Sequence, residues 1–166
     1  MSITFNADEI FEMAEEIERN GVKFYRQAAE KTSDKKIKQM LLDLAAMENG
    51  HLRIFQEMRE NLSEEEKTAE TFDPDNEAKL YLQSMAEVHG TEGRVSPAQK
   101  LTGKETIEEL LKIAVNAEKN SVVFYVGLKS LVPAKSSKDK VEGIIREEMG
   151  HLAKLNQQLA AIKWKH

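Results

Sequence analysis

Two short stretches hold residues that could bind a metal ion: Glu48-Asn49-Gly50-His51 and Glu148-Met149-Gly150-His151, placed 100 residues apart. On a helix, residues three apart share a face, so each glutamate and its histidine would point the same way. A carboxylate and an imidazole side by side can hold one ion, and two such pairs suggest two ions. Each pair has a third carboxylate 30 residues upstream, Glu18 before Glu48 and Glu118 before Glu148. The surroundings match in register, Glu18-Arg19-Asn20-Gly21-Val22-Lys23-Phe24-Tyr25 against Glu118-Lys119-Asn120-Ser121-Val122-Val123-Phe124-Tyr125. One half of the chain reads as a copy of the other.

The elements that must carry these residues are long helices. Asn6 with Glu9 reads as a capping box. From there Phe11, Ala14, Gly21, Val22, Tyr25 and Ala28 fall on one face, with Glu12, Glu15, Glu16, Arg19, Lys23 and Arg26 mostly off it. Glu18 lies in the apolar stripe. The helix is expected to stop near Thr32-Ser33. A second helix carries Ile37, Leu41, Leu44, Glu48, His51, Phe55 and Met58 at bundle spacing. A single Glu-x-x-His is most simply a surface pair, but these two residues occupy seam positions, where an unpartnered carboxylate is costly.

Thr106 with Glu109 repeats the capping box 100 residues after the first. The third helix carries Leu111, Ala114, Glu118, Ser121, Val122, Tyr125 and Leu128. Pro133 and Ser136-Ser137 separate it from a fourth, with Val141, Ile144, Ile145, Glu148, His151, Leu152, Leu155 and Leu159. Between the two pairs the rhythm breaks. Ser63 could cap a short turn over Glu64-Glu65-Glu66, Asp73-Pro74 reads as a stop or fresh start, Asn76–Val88 as a modest helix, and Thr91–Lys104 as loop. His89 reads as a surface histidine, and Trp164 and His166 as a polar tail.

The midpoint of 18 and 48 is residue 33, and that of 118 and 148 is residue 133, so both fall in the expected turns. Residues equidistant from the turn of an antiparallel hairpin lie side by side, which sets Glu18 against Glu48 and Glu118 against Glu148, each about 22 Å from its turn. Two hairpins packed face to face would bring all six residues to one level, near mid-height. The long connector fits a two-fold arrangement, in which the second helix ends roughly 40 Å from where the third begins. The expected architecture is therefore all-α: one domain over 1–166, with a hairpin over about 6–62, a crossover containing a short helix over about 63–105, and a second hairpin over about 106–162.

Composition narrows the function. Hydrophobic residues make up 40% and charged residues 32%, with few aromatics, which suits long amphipathic helices. The net charge of −5, with no basic run, argues against nucleic acid as a partner. No cysteine is present, which removes disulfides, thiolate zinc sites and thiol catalysis. No apolar run reaches membrane-spanning length, and the first residues lack the pattern of a secretory signal, so a cytoplasmic location is expected.

Charge points to the occupant. Four glutamates bring −4, which two divalent ions neutralise while two histidines coordinate uncharged. Oxygen-rich ligation with one imidazole per ion suits iron or manganese, whereas zinc usually takes more nitrogen or sulfur, although affinity order alone leaves zinc open.

A helix-borne Glu, then Glu-x-x-His, then the same again after a long crossover, resembles the ferritin-like di-iron carboxylate proteins. The Glu-(x)5-Phe-Tyr signature and the length look most like the rubrerythrin-type domain, over about residues 6–162. The resemblance implies two iron ions held by Glu18, Glu48, His51, Glu118, Glu148 and His151, with Glu48 and Glu148 bridging. The chain departs from it in two ways. It lacks the four-cysteine rubredoxin-like module, so turnover would need an external electron donor such as a rubredoxin-like protein. It also has Ser121 where rubrerythrins tend to carry a further glutamate.

Tyr25 and Tyr125, seven residues after Glu18 and Glu118, read equally as buried packing or as hydrogen-bond donors to ligand carboxylates. Gly50 and Gly150 suggest sites where a side chain would strike a neighbouring helix or close a small pocket. Three functions stay open: an oxidoreductase passing two electrons to peroxide or dioxygen, a ferroxidase or iron-handling protein, and a non-catalytic metal-binding bundle. A homodimer is expected from one large exposed flank.

Overall fold

The computed structural model describes residues 6–68, 77, 80–81, 101–132 and 134–163. The expectations for Asp73-Pro74, for His89, for most of the 76–88 helix and the 91–104 loop, and for Pro133, Trp164 and His166 lie outside these residues. Four long helices dominate: α1 (Ala7–Lys31), α2 (Lys35–Glu60), α4 (Ile107–Leu131) and α5 (Lys135–Lys163), with a five-residue α3 (Glu64–Thr68) after α2. No strand occurs among the described residues.

Local chemistry sets the boundaries. Asn6 accepts from the Glu9 amide at 2.9 Å while its own amide donates to the Glu9 carboxylate at 3.0 Å, and Thr106 does the same with Glu109. These reciprocal bonds satisfy amides that a helix start leaves without partners. Ser63 and Glu66 form a third such box at α3. The cap of α2 is Asp34, whose carboxylate accepts from the amides of Lys36 and Ile37. Only Ser33 separates it from Thr32, the C-cap of α1.

Two apolar clusters fill the bundle. One joins the start of α1 (Ile10, Phe11, Ala14), the end of α2 (Phe55, Met58), the end of α4 (Phe124, Leu128) and the start of α5 (Val141, Ile144). The other joins the end of α1 (Phe24, Ala28), the start of α2 (Leu41, Leu44), the start of α4 (Leu110, Leu111) and Leu155 of α5. Burying each large side chain contributes about 1.5–3 kcal/mol. The memberships also fix direction. α1 runs antiparallel to α2 and to α4, and the end of α2 lies at the opposite end of the bundle from the start of α4.

An ion-pair network clamps the first end. Arg59 Nε donates to Asp8 Oδ1 at 2.8 Å, and its Nη1 reaches Glu15 Oε1 at 3.4 Å, while Arg19 binds the other Glu15 oxygen at 2.8 Å. The hydrogen bond from Arg59 holds the Asp8 carboxyl below its ordinary range. Glu15, which the helical pattern sets off the apolar face, is in fact buried. Two guanidinium groups, one from α2, supply the charge that makes this burial tolerable.

Candidate metal centre

Between the two apolar clusters lies a polar layer. Glu18 projects into it from α1, Glu48 and His51 from α2, Glu118 from α4, and Glu148 and His151 from α5. All six are at most 4% exposed. The i, i+3 spacing on α2 and α5 puts each carboxylate beside its imidazole, and the antiparallel pairing of helices brings the distant halves to the same level.

The contacts cross between the halves. His51 Nδ1 lies 2.9 Å from Glu148 Oε1 and 3.6 Å from Glu18 Oε2. His151 Nδ1 lies 2.9 Å from Glu148 Oε2, 3.1 Å from Glu48 Oε1 and 3.6 Å from Glu118 Oε1. The two rings stack at 5.8 Å between centroids. Two overlapping sets of donors result, one of Glu18, Glu48, His51 and Glu148, the other of Glu48, Glu118, Glu148 and His151; within each, one donor atom per residue lies within 4.8 Å of the others. Glu48 and Glu148 belong to both.

Several of these donors face the centre with no aligned hydrogen bond: Glu18 Oε2, Glu48 Oε1, both Glu148 oxygens, and Nδ1 of His51 and of His151. Buried polar atoms are normally satisfied, so such a concentration at one point calls for a ligand. Oxygen and imidazole donors converging from four helices fit a pair of divalent cations.

The tyrosines tie the layer together. The Tyr25 hydroxyl of α1 donates to Glu118 Oε1 of α4, and the Tyr125 hydroxyl of α4 donates to Glu18 Oε1 of α1. Burial, with the neighbouring carboxylate charges, raises both phenols well above their ordinary pKa, so they stay protonated and remain donors. Burial likewise pushes Glu118 up to about 8 and raises Glu48 well above the carboxylate range, Glu18 adding to the latter through its charge. The histidines shift the other way from what burial dictates. Burial would lower His51, but Glu148 and Glu18 carry it to about 11; Glu118, Glu148 and Glu48 carry His151 to about 12. Burial would raise Glu148 as well, yet contact with both imidazoles holds it below the usual range.

Two neighbours of the layer escaped sequence reasoning. Glu147, 54% exposed at its side chain, meets His51 Nε2 at 2.9 Å. Gly21 sits one turn after Glu18 on the inward face, and a Cβ there would stand 3.0 Å from Glu48 Oε2. Its signal was available, since a glycine in an otherwise apolar stripe marks a close approach. The expectation for Gly50 and Gly150 is overturned: an added Cβ at either meets nothing within 4 Å. At about 100° per residue, position 50 points away from the face shared by Glu48 and His51, so both glycines look outward.

A small cavity between α1 and α4 reaches the layer. It is lined by Ile17, Gly21, Glu48, Ala117, Glu118 and Ser121 among others, and its volume of about 20 Å³ has room for one water-sized molecule. None of the described helices is long and apolar enough to cross a membrane.

Comparison with known proteins agrees with this geometry. A crystal structure from Thermotoga maritima, described as a ferritin-like di-iron-carboxylate protein, superposes with a TM-score of 0.72 at 24% identity, covering 96% of this chain and 98% of that one. The manganese catalase KatB from Anabaena superposes with a TM-score of 0.66 at 18% identity, covering 98% of this chain and 77% of that one. At such identities the likeness establishes the ferritin-like fold. No curated protein matches the chain significantly. The family model for Rubrerythrin matches residues 9–160, nearly the whole sequence, and the chain belongs to the rubrerythrin family.

Proposed function

We propose that this chain is a di-iron carboxylate oxidoreductase that reduces peroxide or dioxygen with electrons from a separate donor. The observation that carries the proposal is the convergence on one buried point of carboxylate oxygens and Nδ1 atoms that make no aligned hydrogen bond. In this reading Glu18 and His51 would hold one ion, Glu118 and His151 the other, and Glu48 and Glu148, which belong to both donor sets, would be shared between them. A pair of ferrous ions held there would supply two electrons to a single oxidant molecule.

The chain's own part is to hold and shield. Tyr125 occupies Glu18 Oε1 and leaves Oε2 free toward the centre, which fixes the carboxylate in a one-oxygen pose. Tyr25 ties Glu118 down through its Oε1. The apolar clusters above and below exclude bulk water and strengthen every electrostatic contact in the layer. The cavity beside Gly21 and Ser121 has room for one water-sized molecule, which favours the smallest oxidants. The 166 residues contain no cysteine with which to relay electrons, so a rubredoxin-like protein is the proposed donor, and a homodimer the proposed assembly.

The test is anaerobic loading with Fe(II), followed by peroxide or air. The expected result is an absorption band that appears with oxidant, bleaches on reduction and returns over repeated cycles. Growth of a mineral core would move the function to iron storage. Absence of any spectral change would overturn the redox reading, and the same trial with Mn(II) would show whether manganese, as in the name of the Anabaena neighbour, replaces iron.

A further inference from the structure

The two histidines look alike in the 100-residue repeat, but their outer nitrogens do not. His51 Nε2 meets the Glu147 carboxylate at 2.9 Å. His151 Nε2 is buried with no hydrogen-bond partner. The repeat explains the difference. Glu147 belongs to the second half and serves the histidine of the first; the matching position in the first half is Met47, whose thioether is at best a weak acceptor.

We infer that Glu147 is a positioning residue for His51 and that it makes the two ion positions unequal, the one at His51 binding more tightly. The inference rests on the metal-centre reading above. With its Nε2–H donated to Glu147, His51 is held in the tautomer that turns the Nδ1 lone pair toward Glu18 and Glu148. The carboxylate also makes the imidazole a better electron donor, as outer partners of ligand histidines do. His151 must find its tautomer and ring angle without such a partner, and its buried Nε2–H goes unmatched. Glu147 itself is largely in solvent, so it can be replaced without opening the core.

The experiment is a calorimetric titration of the metal-free protein with Co(II), a redox-stable probe whose visible spectrum reports coordination. Wild type is expected to bind two ions in separable steps, the first tighter by tenfold or more. Glu147→Ala should weaken the tight step by about 10–100-fold and leave the other unchanged. Glu147→Gln should restore most of the loss, because its amide oxygen still accepts from Nε2–H. Met47→Glu should strengthen the weaker step. Two identical steps in wild type, or an E147A titration that overlays wild type, would overturn the inference while leaving a two-ion centre standing. A wild-type protein that binds no Co(II) would overturn the metal centre itself, and this inference with it.

Discussion

At one end of the bundle Phe11, Phe55, Phe124 and Leu128 interlock with no polar atom among their side chains. At mid-height four carboxylates and two imidazoles meet, many of their inward atoms unmatched. The two regions share the same helices yet answer to different demands. The end clusters are complete as folded and give the bundle its stability. The layer between them is incomplete without something the chain does not itself supply, and packing on both sides must offset its strain. A bundle built only for stability would fill that level with leucine, since well-packed apolar groups often match or exceed buried charges in stabilising a core. Carboxylate and imidazole donors gathered at one level suit a metal site instead.

The difference is easiest to break from the apolar side. Phe55 is fully buried, 6.4 Å from Phe11 and 5.1 Å from Tyr125 between ring centroids. Phe55→Ala is expected to lower unfolding free energy by about 3–5 kcal/mol through lost burial and the cavity left behind. Denaturant unfolding of the metal-free protein measures this. A change below about 1 kcal/mol would mean that the end cluster is not what holds the bundle together.

The converse substitution lies in the polar layer. Glu48→Gln keeps the shape and removes a charge that burial and Glu18 already oppose. The metal-free variant is therefore expected to be at least as stable as wild type. It should, however, lose the response to metal. Any ion that binds only the folded state stabilises it by about 2.7 kcal/mol per site at a hundredfold excess over Kd. Thermal melts with and without Mn(II) should show a clear rise in Tm for wild type and little for E48Q. Retention of the full rise would remove Glu48 from the ligand set.

Much of this contrast was legible before any coordinates. Helix caps at Asn6 and Thr106 stand in the sequence because capping is local chemistry, and the all-helical fold follows from the seam spacing. The polar layer is visible because Glu18 and Glu48 interrupt apolar stripes, and the repeat gives them a common height. What stayed hidden depends on side chains from other helices. Burial of Glu15 is intelligible only once Arg59 reaches it from α2. Glu147 looks like one more surface acid until α2 brings His51 to 2.9 Å from it. The nearness of Gly50 to His51 in sequence conceals that it faces outward, into open space.

The glycines give the finest test of that contrast, since the same substitution should act oppositely on the two faces of one helix system. Gly50→Ala and Gly150→Ala place a methyl in open space, so only helix propensity acts, and each should stabilise by about 0.5–1 kcal/mol with metal binding unchanged. Gly21→Ala gains the same propensity but sets its methyl 3.0 Å from Glu48 Oε2 and 3.3 Å from its Cγ. Glu48 must then give by a few tenths of an ångström, and the gain in helix stability is spent on shifting a carboxylate common to both donor sets. Metal-free stability should stay within about 1 kcal/mol of wild type, while affinity for Co(II) falls roughly tenfold, the scale on which disturbed metal surroundings act. Denaturant midpoints and Co(II) titrations of the three variants, run side by side, separate the outcomes. Wild-type Co(II) affinity in G21A would show that Glu48 adapts freely, and that the space beside Gly21 does not set its position.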